Sequence, residues 1–70
     1  MKTIFKFDKG NKGTTLTYDA EATNAPYFVN LYEQLTHHSR DVTVNDLTFS
    51  FKTYTEAIAA YNHTVAALKG

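Results

Sequence analysis

Nothing can staple this chain. Its seventy residues include no cysteine, so neither a disulfide nor a thiolate metal site can hold a small fold together. A domain this short hides only about 60% of the surface that its unfolded chain exposes. The side chains alone must therefore build the core. Ten of them are aromatic, five Phe and five Tyr. Aromatic rings bury roughly 150–250 Å² each, and disordered chains are depleted in them. One domain spanning residues 1–70 is the expectation. A core that uses so many rings leaves little volume for a pocket of the usual ~300 Å³ or more, which moves any activity to the outer surface.

The pattern of apolar residues predicts the elements. Residues 3–8 and 14–19 alternate as strands do, around the turn-forming Gly10-Asn11-Lys12-Gly13. A four-residue loop there sets Phe7 opposite Leu16 and Phe5 opposite Tyr18, with Ile4 on the outer side beside Lys2 and Lys6. Asn24-Ala25-Pro26 has the form of a helix start, and Phe28, Leu31, Tyr32 and Leu35 then follow the i, i+3, i+4, i+7 template. That helix should end near His37-His38. Within 42–51 the apolar phase reverses between Val44 and Leu47, which predicts a hairpin turning at Asn45-Asp46. Thr53-Tyr54-Thr55-Glu56 is a capping box, and Tyr54, Ile58, Tyr61, Val65 and Leu68 form one apolar seam ending at Lys69-Gly70. The expected fold is α+β: a ββαββα two-layer sandwich with a four-stranded, mainly antiparallel sheet and both helices on one face.

Charge narrows the function classes. Seven basic residues balance seven acidic ones, which argues against a chain devoted to neutralising phosphates. The balance is uneven, with +3 over residues 1–13, −4 over 14–50 and +1 over 51–70. Lys2, Lys6, Lys9 and Lys12 make the first hairpin basic, and this supports an alternative reading as a weak nucleic-acid binder. Against it, the predicted outer sheet face carries threonine rather than the exposed aromatics on which bases stack. The Gly10–Gly13 spacing matches the loop of KH domains, but there the loop joins helices and here it joins strands. No apolar run approaches the ~20 residues of a membrane span. The first residues lack an uninterrupted secretory-type apolar stretch, so a cytoplasmic location is expected.

Chemistry-bearing constellations are absent from the pattern. His37 and His38 are adjacent, which points them about 100° apart on a helix, and His63 is distant in sequence. Glu33 and His37 share the i, i+4 spacing and could hold an ion only weakly, with His63 as a distant third ligand. Ser39 and Ser50 have no base and orienting group at a spacing that makes a triad. The sequon Asn62-His63-Thr64 falls within a predicted helix. No catalytic residue, metal or cofactor is expected. The tyrosines are the better handle, because Tyr suits sites where one end is buried and the other wet, and it is enriched at binding hot spots. Tyr27, Tyr32, Thr17, Thr43 and Thr48 are the candidate protein-contacting residues. The expected function is a small non-catalytic binding module that acts by surface contact as a regulator, adaptor or inhibitor. Small chains of this kind are often phage or mobile-element inhibitors of host systems, and such an inhibitor is one form of the expectation. Its partner is an unidentified protein, with a homodimer as one form.

Overall fold

The computed structural model describes the backbone of residues 1–37 and 40–70, and the side chains outside 35–45. Four strands run in chain order: β1 (Lys2–Lys9), β2 (Lys12–Tyr18), β3 (Tyr27–His37) and β4 (Arg40–Phe51). One helix, α1 (Tyr54–Lys69), closes the chain. All neighbouring strands are antiparallel and the sheet order is β1-β2-β3-β4. This α+β meander with one helix corrects the ββαββα expectation, which required two.

The segment expected to be the first helix is strand β3. Phe28, Leu31, Tyr32 and Leu35 fit the helical template, yet Tyr27, Val29 and Leu31 also alternate, and a short apolar run satisfies both periods. Tyr, Phe and Val all favour the pleated surface. The pairing decides it, for Tyr27, Val29 and Leu31 oppose Tyr18, Leu16 and Thr14 of β2. A strand here covers edges that β2 and β4 would otherwise leave open.

The expected turn at Asn45-Asp46 is likewise replaced by continuous strand. Glu33 pairs with Asn45 and Gln34 with Thr43, so the register skips Val44. Such a bulge reverses the alternation without a turn. Sequence alternation registers only that the phase changes, and a bulge and a two-residue turn both change it.

The first hairpin forms with a different register from the expected one. Its loop is two residues, Gly10-Asn11, and Gly10 takes a φ of +62°, which glycine adopts without steric cost. The shorter loop slides the pairing by two, so that Phe5 faces Leu16 and Phe7 faces Thr14. A second irregularity, between Thr3 and Phe5, leaves Ile4 unpaired. Ile4 consequently packs against the core instead of facing outward with Lys2 and Lys6.

The helix begins as its sequence predicts. Thr53 adopts an extended conformation, its hydroxyl accepts from the Glu56 amide at 3.3 Å and donates to the Glu56 carboxylate at 3.0 Å. At the far end Gly70 donates to the Ala66 carbonyl at 3.0 Å. Leu16 and Val29 from the sheet and Ala57 and Tyr61 from α1 form the buried centre. Ala57 is fully buried, and its small side chain lets the helix backbone approach the sheet closely. The Phe5 and Tyr61 rings stack with centroids 5.7 Å apart.

Candidate interaction surface

Pairing across the ladder assigns each strand residue to a face, because directly opposed residues project to the same side. The helix-bearing face has the rows Phe5-Leu16-Val29-Phe49 and Phe7-Thr14-Leu31-Leu47, flanked by Lys2-Tyr18-Tyr27-Phe51. The opposite face has the rows Thr3-Thr17-Phe28-Ser50, Lys6-Thr15-Asn30-Thr48 and Asp8-Gly13-Tyr32-Asp46.

The helix does not cover its whole face. It starts with Tyr54 edge-on to Tyr27 of β3, at 5.9 Å. It ends where Lys69 lies 5.6 Å above the Phe7 ring and its carbonyl accepts from Lys9 of β1 at 2.8 Å. This diagonal path lies mainly over β2 and β3 and touches both edge strands less. A helix is about 10–12 Å across, whereas four strands at about 4.8 Å spacing are wider. The uncovered remainder is apolar: on β1 Phe5 is 44% exposed, and on β4 Leu47 is 54% exposed and Phe49 is 55% exposed. Beside them, Leu31, Leu47 and Leu68 line an open cleft of about 420 Å³, with Lys12 and Glu33 at its rim.

A second cleft, of about 450 Å³, lies at the other end of the helix-bearing face. Tyr18, Tyr27 and Tyr54 line it, together with Lys2, Thr3 and Ile4. Tyr18 and Tyr27 touch with centroids 5.1 Å apart. Tyr27, a candidate contact residue from the sequence, is half-buried in an aromatic cluster packed against the core.

Tyr32 stands on the opposite face. Its hydroxyl donates to Asp8, two strands away, and its phenol end occupies the space that a side chain on Gly13 would need. The hydrogen bond to the Asp8 carboxylate, with partial burial and the nearby negative charge, pushes the phenol up to about 12. Thr17 and Thr48 share this face as expected, and neither hydroxyl is idle. Thr17 lies 3.5 Å from the Phe28 carbonyl, and Thr48 accepts from the Asn30 amide at 2.9 Å. The Thr43 side chain lies outside the described residues, as do those of His37 and His38. Phe28 sits in the middle of the opposite face, half-buried, where sequence reasoning had placed it in a helix core.

The basic hairpin is partly neutralised. Lys9 is engaged by the helix C-terminus, and Lys6 lies 3.8 Å from Asp8. Lys2 and Lys12 are exposed at opposite ends of the helix-bearing face, so the four lysines form no single patch. His63 is exposed on the helix. Among the described residues no three His, Cys, Asp or Glu groups converge as metal ligands, and no helix is long and apolar enough to cross a membrane.

Sequence reasoning missed Leu47 and Phe49 as surface residues because it assigned them to a core beneath two helices. With one helix over β2 and β3, both edge strands are left partly uncovered. Comparison with protein families, curated proteins and solved structures finds no match to this chain.

Proposed function

We propose that this chain is a small non-catalytic protein-binding module, with the uncovered part of β4 as its contact surface. The carrying observation is the exposure of Leu47 and Phe49 side by side on the helix-bearing face. Large apolar side chains held rigidly on a strand give contact area at little entropic cost. The neighbouring cleft adds Leu31 and Leu68, and a charged rim of Lys12 and Glu33. An apolar centre with a polar border is the anatomy of a protein interface. The reading departs from the residues expected from sequence: Leu47 and Phe49 take the role given to Tyr27 and Tyr32.

The test is comparative capture from the source cell with immobilised wild-type chain and its Phe49→Lys and Leu47→Lys variants. The binding reading expects a discrete protein, or a second copy of the chain, retained by the wild type and lost from both variants. Equal retention by all three removes this surface from the account. A nucleic-acid role through Lys2, Lys6, Lys9 and Lys12 predicts instead salt-sensitive oligonucleotide binding that the Phe49→Lys substitution leaves intact.

A further inference from the structure

The two edges of the sheet are not equivalent. β1 is guarded, with Lys2, Lys6 and Lys9 along it, a register irregularity at Ile4, and Lys9 fastened to the helix terminus. Those are the devices by which natural sheets block edge-to-edge pairing. β4 is the longest strand, at 12 residues. From Asp46 to Phe51, beyond the skip at Val44, it contains no lysine, proline or further irregularity. Among the described residues no strand neighbours its outward backbone groups.

We propose that two copies of this chain pair antiparallel along β4, about a two-fold axis through Phe49, to form one continuous eight-stranded sheet. The proposal rests on reading the β4 strip as a protein-binding surface, and it names the partner. The argument is self-complementarity. In a two-fold pairing that keeps each side chain on its own face, the uninterrupted stretch can centre on Leu47, Thr48, Phe49 or Ser50. Centring on Leu47 sets Phe49 against Asn45, centring on Thr48 sets Phe51 against Asn45, and centring on Ser50 sets Leu47 against Thr53. Each mismatches polar with apolar.

Centring on Phe49 matches every described pair. Phe49 meets Phe49 on the axis, Leu47 meets Phe51, and Thr48 meets Ser50 on the opposite face. Asp46 of one copy then stands opposite Lys52 of the other, twice by symmetry. Lys52 is exposed and lies one residue past the strand. Directly opposed aromatic and opposite-charge pairs are the stabilising units of an antiparallel sheet. The contact is isologous and therefore closes at two copies. Both helices lie on the same face of the joined sheet, with the Leu47 and Phe49 side chains of the two copies along the seam between them.

Sedimentation equilibrium of the full chain over a range of concentrations tests this, with circular dichroism to check the fold of each variant. The expected result is a species of twice the 7.9 kDa chain mass. Phe49→Lys and Lys52→Glu should each weaken association about tenfold or more, and Asp46→Lys combined with Lys52→Glu should recover it. Should Phe49→Lys unfold, Lys52→Glu carries the test from outside the strand. A chain that stays at monomer mass throughout, or a dimer indifferent to these substitutions, overturns the proposal. A dimer that the charge exchange fails to restore overturns the register through Phe49. A monomer that binds a different protein through Phe49 overturns self-pairing and leaves the binding reading standing. A monomer whose Phe49→Lys variant keeps every partner of the wild type sinks both.

Discussion

The phenol end of Tyr32 on β3 fills the space above Gly13 on β2, so the glycine is buried by a side chain from the neighbouring strand. The hydroxyl continues to Asp8 on β1, so one side chain ties three strands together across the face that lacks a helix. A glycine in a strand interior normally weakens it, and an aromatic ring laid across it restores the lost packing. Gly13→Ala should destabilise the fold by about 2 kcal/mol, because the new methyl group would collide with both Tyr32 and Asp8. In a Tyr32→Ala background the same substitution should cost much less. Chemical denaturation of the double-mutant cycle measures that coupling.

The alkaline limit of stability should belong largely to tyrosine. Tyr32 is raised from 10.0 to about 12, first by its hydrogen bond to Asp8. Tyr61 is raised too, first by burial and then by the Asp8 charge. Both shifts mean that the folded chain holds the phenolic proton more tightly than the unfolded chain. The Tyr32 effect is whole below pH 10 and is lost as pH rises through about 12, and Tyr61 acts in the same direction. Unfolding free energy measured between these limits should fall with pH, and less steeply in Tyr32→Phe.

Thr14 sits fully buried between Phe7 and Leu31, and its hydroxyl finds no hydrogen-bond partner among the described residues. An unpaired buried hydroxyl costs on the order of 1–3 kcal/mol. Valine has nearly the same shape without it. Thr14→Val should therefore stabilise the chain, by about 1 kcal/mol, seen as a higher denaturation midpoint with an unchanged slope.

Core and proposed contact surface should separate cleanly by mutation. Leu16 is fully buried at the crossing of helix and sheet, and Leu16→Ala should cost about 3–4 kcal/mol. Phe49→Lys, at a residue 55% exposed, should change monomer stability in dilute solution by less than about 1 kcal/mol. Thermal melts of the two variants at low concentration make the comparison.

Local signals in this sequence were legible, and non-local ones were not. The capping box at Thr53–Glu56 and the glycine turn at Gly10 act over a few residues; the first appears where the pattern puts it, and the second forms at Gly10 but with a two-residue loop in place of the expected four. The identity of β3 was not local. Tyr27–Leu35 satisfies a helical stripe and a strand alternation together, and only the open edges of β2 and β4 choose between them. The phase change in 42–51 was visible as well, but a skipped residue at Val44 and a reversing turn leave the same trace. That misreading carried into the site. Once the first helix is removed, Phe28 and Tyr32 move to the opposite face, and Leu47 and Phe49 emerge as uncovered surface. Thr17 and Thr48 kept their predicted face because strand alternation alone assigns them.

Amide hydrogen exchange, resolved residue by residue along Asp46–Phe51, tests the role of β4 most directly. In an antiparallel edge strand, alternate amides bond to the inner neighbour and the others face water. Pairing of β4 with a second chain predicts slow exchange at every amide of this stretch, with the outward set becoming protected as protein concentration rises. Fast exchange of every second amide at all concentrations, with the inward set protected, would contradict it.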